Sequence, residues 1–127
     1  MGGGAVGEVD QRAAVDVVGG KWKVLILWAL HDRTRRFGEL RRELPGVSEK
    51  VLIEQLRELE ADGIVHREVY REVPPRVEYS LTGFGASLND ALRPLGAWGR
   101  EHMARIVRIR GGAEGVPEEA GVEASRR

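Results

Sequence analysis

The chain has 127 residues, fewer than the roughly 150 of a typical domain, so we expect one compact domain with one hydrophobic core. Apolar residues make up 42% and charged residues 31%, which excludes a disordered chain. The longest apolar run, residues 24–30, is too short to span a bilayer, and no signal-peptide pattern is present, so we expect a cytoplasmic protein without a membrane partner. The absence of cysteine excludes disulfide frameworks, thiol catalysis and thiol-based redox sensing.

Positive charge is concentrated in one part of a chain that is neutral overall. The 20 basic and 20 acidic side chains balance, so the net charge does not by itself indicate nucleic acid. Residues 21–42, however, contain seven basic and two acidic side chains. The C-terminal part of the last predicted helix adds Arg100, Arg105, Arg108 and Arg110.

Both ends of the chain are poor in large apolar residues. Residues 1–7 contain four glycines, and the last seventeen residues mix Gly, Glu, Ala and Pro. We therefore predict a disordered arm over residues 1–8, a single folded domain over residues 9–110 and a disordered tail over residues 111–127.

Three helical patterns open the predicted domain. Residues 9–18 form a short amphipathic stretch that ends at a Gly19–Gly20 pair. Residues 21–31 are apolar on nearly every side, which is typical of a central, buried helix. Residues 37–44 place apolar side chains at i, i+3 and i+7 and end at a Pro45–Gly46 turn.

A fourth helix is predicted over residues 49–61. Ser48 is a good N-cap because its hydroxyl can accept hydrogen bonds from free backbone N–H groups, and Gly63 supplies a left-handed stop. At 100° per residue the leucines fall on one face and the charged side chains on the other. The leucine face consists of Leu52, Leu56 and Leu59. The charged face consists of Lys50, Glu54 and Arg57.

A hairpin and a final helix complete the predicted domain. Residues 64–70 and residues 77–81 alternate with a two-residue period, and a Pro74–Pro75 loop joins them. Thr82 can cap the final helix, in which Pro94 predicts a kink or a break.

This order of elements is that of a winged helix-turn-helix, so the predicted fold class is α+β with added N- and C-terminal helices. In that arrangement the helix after Ser48 lies in a DNA major groove, and the hairpin tip reaches a neighbouring groove or the phosphates.

Six segments carry a more specific signal: DVVGGKW at 16–22, RFGEL at 36–40, LPGVS at 44–48, LRELEADG at 56–63, VPPRVEYSLT at 73–82 and WG at 98–99. Together they resemble the HxlR-type winged-helix transcriptional regulators of bacteria, in register and almost without gaps over residues 9–102. The resemblance implies a homodimeric DNA-binding repressor or activator whose first and last helices form the dimer contact.

The expected partners are therefore double-stranded DNA and a second copy of the chain. The side chains expected at DNA are Arg35, Arg36, Ser48, Glu49, Lys50, Ile53, Glu54, Arg57 and Arg76. Those expected at the dimer contact are Ala14, Val15, Val18, Leu88, Leu92, Leu95 and Trp98.

The chemistry and position of two side chains, Lys50 and Arg76, suit a contact with DNA. Lys50 can donate to guanine O6 and N7, while Pro74 and Pro75 hold Arg76 away from the domain, where a phosphate or minor groove can reach it. Each side chain also has an ordinary explanation. Lys50 can pair with Glu54 at i, i+4 on a solvated helix face, and any surface hairpin can end in an arginine.

The chain departs from the family pattern at two places. Many members carry a cysteine shortly before the first helix, and several use it to sense electrophiles or oxidants, whereas Val9 stands there in this chain. Family members often have Gln-Arg after the recognition-helix serine, whereas this chain has Glu49-Lys50. The segment 48–62 also carries five acidic against two basic side chains.

Other kinds of site find little support in the sequence. The three histidines are too scattered to share a helix face, so we expect no metal site and no cofactor. The pattern of a phosphate-binding glycine loop and the Ser/His/Asp order of a hydrolase are both absent, so we expect no enzyme. The three tryptophans are expected to be core and interface anchors, and nothing identifies the small-molecule effector that such a regulator can bind.

The expected function is a sequence-specific transcriptional regulator that acts as a homodimer on an inverted-repeat operator. The alternative is a winged-helix protein-interaction module with weak or no DNA binding, which the acidic segment 48–62 and the zero net charge favour. A ligand-binding protein whose DNA contact is secondary is a third hypothesis.

Overall fold

The computed structural model describes the backbone of residues 3–112 and the side chains of residues 10–111. The chain divides into two compact units whose boundary lies between Ala91 and Leu92. The predicted α+β class is confirmed. The elements are α1 (Gly3–Val18), α2 (Trp22–Ala29), β1 (Arg35–Arg36), α3 (Phe37–Glu43), α4 (Glu49–Ala61), β2 (Val65–Tyr70), β3 (Arg76–Leu81), α5 (Gly83–Glu101) and α6 (Met103–Gly112).

The first helix begins earlier than the composition predicts. Helix α1 starts at Gly3, so the backbone of residues 3–8 is helical, six residues before the predicted start at residue 9. Extending an existing helix adds a hydrogen bond for each residue that is ordered, and no proline interrupts this stretch. Of the predicted tail, residues 111–112 end α6, and residues 113–127 lie outside the described residues.

The core of the first unit is built from the apolar faces of α2, α3, α4 and the hairpin. Helix α4 packs against α2 and β2. The predicted central position of α2 is confirmed, because two adjacent side chains on it are fully buried. The buried apolar residues are Ile26, Leu27, Leu30, Leu40, Leu44, Val47, Leu52, Leu56, Leu59, Ile64, Val65 and Tyr79.

Three antiparallel strands form a sheet in the order β1, β3, β2. Val65 pairs with Leu81 and Tyr70 with Arg76, so the hairpin register runs through all six residues of β2. The predicted hairpin is confirmed, whereas the sequence gives no sign of the two-residue strand β1. Glycine permits the positive φ of 75° at Gly63, which ends α4 and turns the chain into β2, as predicted.

The start of α5 is attached to the hairpin through Thr82. Its hydroxyl accepts a hydrogen bond of 2.9 Å from the Gly85 N–H, as predicted for a cap, and donates one of 2.6 Å to the Gly63 carbonyl. The Thr82 N–H also donates to the Ile64 carbonyl at 3.1 Å. Gly85 is buried, and a Cβ there would lie well inside van der Waals contact with the Ile64 carbonyl oxygen.

Helix α5 continues through Pro94 to Glu101, so the proline does not break it. Pro94 is exposed, and a proline in a helix removes one backbone hydrogen bond of the ladder. The His102 N–H donates to the Trp98 carbonyl at 3.0 Å, and α6 begins at the next residue.

We predict that Gly85→Ala lowers the free energy of unfolding by about 2 kcal/mol or more, because the new methyl group forces α5 away from the Ile64 backbone. Gly83→Ala is the matched control, since a methyl group there meets no described atom within 4 Å. Urea denaturation followed by circular dichroism measures both. Equal stability of the two variants would contradict the close approach.

Candidate nucleic-acid interface

Helix α4 is held by one face, and this determines which of its side chains reach solvent. Leu52, Leu56 and Leu59 are at most 2% exposed, so the opposite side of the helix is free. The predicted cap is confirmed, since Ser48 Oγ accepts a hydrogen bond of 3.1 Å from the Val51 N–H. This cap starts the helix at Glu49 and so fixes the direction of each later side chain.

The free face of α4 carries the side chains predicted to reach DNA bases. Lys50, Glu54 and Arg57 are exposed, and Ile53 between them is half-buried. Neither Lys50 nor Arg57 forms an ion pair with any residue that the structure describes, so the Lys50–Glu54 pair of the alternative interpretation is not formed. Two cations on this face are therefore available to an external partner.

A salt bridge joins α3 to the first turn of α4. Arg41 Nη1 lies 3.7 Å from Glu49 Oε1, and both side chains are largely exposed. They line an open groove of about 540 Å³ together with Phe37, Gly38 and Arg42. Exposed ion pairs contribute roughly 0–1 kcal/mol to stability, so a phosphate can replace Glu49 as the partner of Arg41 at small cost.

Strand β1 sends its two arginines in opposite directions. Arg35 pairs with Tyr79 and Arg36 with Glu78 in the sheet. The Arg35 side chain is 13% exposed, its Nε donates to the Ala29 carbonyl at 2.6 Å, and its Nη1 lies 3.5 Å from Glu43. The structure therefore places Arg35 inside the domain, contrary to the sequence expectation, because neighbouring residues of a strand point to opposite faces.

Arg36 is exposed and marks the start of α3. Its N–H donates a hydrogen bond of 2.8 Å to Glu39 Oε1. That hydrogen bond is the main reason that the pKa of Glu39 lies below its ordinary value. Desolvation opposes it, and the positive charges of Arg33, Arg36 and Arg35 lower the pKa further. Glu39 is thus ionised at neutral pH and offsets part of the positive charge of this segment.

The hairpin tip holds Arg76 in a network of its own. Arg76 Nε and Nη2 each lie 2.9 Å from Glu72 Oε2, and Nη1 lies 2.8 Å from Glu78 Oε2. The guanidinium also covers the Tyr70 ring at 3.9 Å from its centroid. The sequence predicts an arginine that Pro74 and Pro75 hold away from the domain, but the structure shows Arg76 bound by two nearby carboxylates, four residues before it and two residues after it.

The residues predicted for the dimer contact lie in both units. In the first unit Ala14 and Val15 are exposed, and Val18 and Leu88 are half-buried. In the second unit Leu92 is half-buried, while Leu95 and Trp98 are 55% and 54% exposed. The Trp98 ring stacks on His102 with 4.8 Å between ring centroids.

The described side chains contain no group of three or more His, Asp or Glu residues arranged to hold a metal ion. No helix within residues 3–112 is both long and apolar enough to cross a membrane.

The HxlR-like helix-turn-helix family matches residues 17–107. The chain belongs to this family. The match includes α2, the capped helix α4, both hairpin strands and α5, so the resemblance carried by the sequence motifs is confirmed, as is the winged helix-turn-helix fold.

Relatives of this HxlR-like chain occur in Bacillus subtilis (strain 168). The uncharacterised HTH-type transcriptional regulator YdeP is 46% identical over 98 residues, which are 77% of each chain. YybR, described in the same words, is 51% identical over 88 residues, which are 69% of this chain and 70% of its own. The protein is accordingly a transcriptional regulator of the winged-helix type.

Solved structures agree with this assignment. The redox regulator HypR in its reduced form has a TM-score of 0.71 and 48% sequence identity, covering 74% of this chain and 93% of its own. The reduced form of the transcriptional regulator YodB from B. subtilis has a TM-score of 0.63 and 37% identity, covering 71% and 88%.

Sequence reasoning missed Arg71, an exposed cation at the end of the first strand of this HxlR-like hairpin. Arg71 follows β2 directly, is exposed and forms no ion pair or hydrogen bond with the described residues through its side chain. Its place as the first residue after a predicted strand is the signal that could have identified it.

We predict that Arg35→Ala lowers the free energy of unfolding by about 1–3 kcal/mol, because it leaves the Ala29 carbonyl without its donor. Arg36→Ala, the same change on the exposed face of β1, should shift stability by less than about 0.5 kcal/mol. Denaturant midpoints measure both variants. Similar losses of unfolding free energy at the two positions would show that Arg35 contributes no more to stability than the exposed Arg36.

Proposed function

We propose that this protein is a sequence-specific DNA-binding regulator that acts as a homodimer on an inverted-repeat operator. The observation that carries the proposal is the free face of α4, where Lys50 and Arg57 have no ion-pair partner among the described residues. Cations without an internal partner can replace the counterions of DNA and donate to base edges. The family membership supports the same function.

Three side chains of this face have chemistry that suits a major groove. Lys50 donates to guanine O6 and N7, and Glu54 accepts from cytosine N4. The half-buried Ile53 offers an apolar contact to a thymine methyl group. Arg57 lies further along the same face.

Phosphate contacts come from the groups around the start of α4. Arg41 lines the groove between α3 and α4, while Arg36 and Ser48 precede these two helices. Contacts of these three side chains with phosphates would set affinity and register without reading sequence. Glu49 forms its salt bridge to Arg41 and reduces the net charge of the groove. None of these roles needs a catalytic group, so the proposed regulator is not an enzyme.

The proposed dimer is supported by apolar side chains that the single chain leaves exposed. Val15 on α1 is 63% exposed, and Leu95 and Trp98 on α5 are each more than half exposed. Large exposed apolar side chains in a small protein commonly mark an interface. A two-fold pairing of these helices would also set the distance between two recognition helices.

Redox regulation by thiols does not extend to this chain. The similar structures include HypR in reduced and oxidised forms, which are described as those of a redox regulator. This chain contains no cysteine, so thiol–disulfide exchange has no substrate in it. We therefore propose regulation that is independent of cysteine oxidation.

The acidity of the segment 48–62 favours one competing function, a winged-helix module that binds a protein and not DNA. Five acidic side chains against two basic ones would weaken the attraction of this helix to phosphates. The two functions differ in one measurable property, the affinity for duplex DNA at low salt.

We predict that the protein shifts a fragment of its own upstream region at low salt and that its affinity falls steeply at higher salt, because bound Lys and Arg release counterions. Footprinting should show two half-sites about 10 bp apart or a multiple of that spacing.

Lys50→Ala should relax the preference for one or two base pairs of the operator and cost about 1–3 kcal/mol of binding free energy on the best site.

Lys21→Ala is the matched control, since it removes the same charge from a lysine that covers the Trp22 ring outside α4. A panel of operator variants separates loss of specificity from loss of affinity. Equal weakening on every variant would refute the base contact of Lys50. No measurable DNA affinity at low salt, together with binding to a protein partner, would favour the competing function.

We predict that Leu95→Ala with Trp98→Ala gives a folded monomer, because truncation removes the apolar area that each chain contributes to the interface. Sedimentation velocity at micromolar concentration measures the mass, and circular dichroism checks the fold. Phe84→Ala is the control, since Phe84 is 63% exposed on α5 but outside the predicted contact. A double variant that remains dimeric would place the interface elsewhere, and one that unfolds would assign these side chains to the core.

A further inference from the structure

We infer that the phosphate contact of the wing is made by Arg71 and that Arg76 braces the wing tip from within. This inference rests on the proposed DNA-binding function and concerns the same surface. The wing is the hairpin of β2 and β3, and the wing-tip cluster is formed by Tyr70, Glu72, Arg76 and Glu78.

The geometry of the cluster leaves Arg76 little capacity for a phosphate. Its Nε and both terminal nitrogens lie 2.8–2.9 Å from carboxylate oxygens of Glu72 and Glu78. One face of its guanidinium lies over Tyr70, its direct cross-strand partner. The Arg76 side chain is 28% exposed, the Glu78 side chain 20% and the Glu72 side chain 48%, so solvent screens the contact with Glu78 less than it screens an ordinary surface pair.

The charge of the cluster also opposes a role for Arg76 at DNA. The cluster holds one positive side chain and two negative ones. Withdrawing Arg76 toward a phosphate would leave Glu72 and Glu78 without their cation next to a polyanion. Arg76 therefore serves better as the counter-charge that allows the two carboxylates to approach each other.

Arg71 has the opposite environment. The Glu72 N–H donates to the Tyr70 carbonyl at 3.0 Å, so Arg71 is the central residue of a three-residue turn at the end of β2. It is exposed and forms no side-chain ion pair or hydrogen bond with the described residues. Val73, two residues further on, is 98% exposed, which shows that the tip projects into solvent. Arg71 is thus an arginine of the tip with its donors free.

Salt dependence of DNA binding tests this division of roles. The probe is a duplex of about 30 bp of mixed sequence, because a phosphate contact is independent of sequence and each one contributes roughly one unit to the slope of log K against log salt concentration. We expect Arg71→Ala in the full chain to lower the slope by about one unit without changing the melting temperature. Arg67→Ala is the control for losing an exposed arginine from the same hairpin. Arg67 pairs with Tyr79, three residues before the end of β2 and away from the tip, so its loss should leave the slope unchanged.

The comparison variant is Arg76→Met with Glu72→Gln, which keeps the net charge of the wing-tip cluster and an aliphatic cover over Tyr70. We expect an unchanged slope together with a lower melting temperature, since the variant removes the hydrogen bonds that hold the tip. A slope that falls with this double variant, or one that stays the same with Arg71→Ala, would overturn the inference. An equal fall with Arg67→Ala would overturn it as well.

Failure of the proposed function has a different signature. If the unaltered chain does not bind the duplex at low salt, both the proposed function and this inference fail. If the unaltered chain binds with a steep slope and only the assignment of Arg71 fails, the proposed function is retained.

Discussion

Helix α4 can present a polar face to a partner because its other face is packed against α2 and β2. Three leucines at i, i+4 and i+7 are removed from water on that face, and each such burial contributes roughly 1.5–3 kcal/mol before the loss of conformational entropy is subtracted. Lys23, which is almost fully buried on α2, lies 2.6 Å from Glu58 on α4 and ties the two helices together by charge as well. This packing determines which face is exposed, since rotating the helix would exchange the leucines for Lys50 and Arg57.

The hairpin takes its place from α4 through a short, sterically restricted connection. Gly63 turns the chain out of the helix, and Thr82 binds the carbonyls of Gly63 and Ile64 from the start of α5. The backbone at Gly85 then approaches Ile64 so closely that a side chain cannot be accommodated. These contacts attach the wing to the same turn that ends α4, so the two elements proposed to contact DNA share one anchor.

The fold gives two groups of basic side chains different uses. Arg35 and Arg76 are held by carboxylates or backbone carbonyls and stabilise the domain. Lys50, Arg57 and Arg71 have no ion pair with described residues and are available to an external anion. The zero net charge is thus compatible with DNA binding, because part of the acidic set is bound to internal arginines, and local free charge matters more than the total.

Local patterns in the sequence were sufficient to predict most of the elements and their ends. The period of the leucines, the Ser48 cap and the Gly63 stop determined the bounds of α4, because all of these signals act within one or two helical turns. The hairpin followed from its two-residue period in the same way.

Only the tertiary structure decided the existence of β1 and the environments of Arg35 and Arg76. Strand β1 exists because two residues pair with β3, and that pairing buries Arg35 while it exposes Arg36. Glu72 and Glu78 lie only four and two residues from Arg76, but the conformation of the hairpin tip decides that both carboxylates bind this arginine.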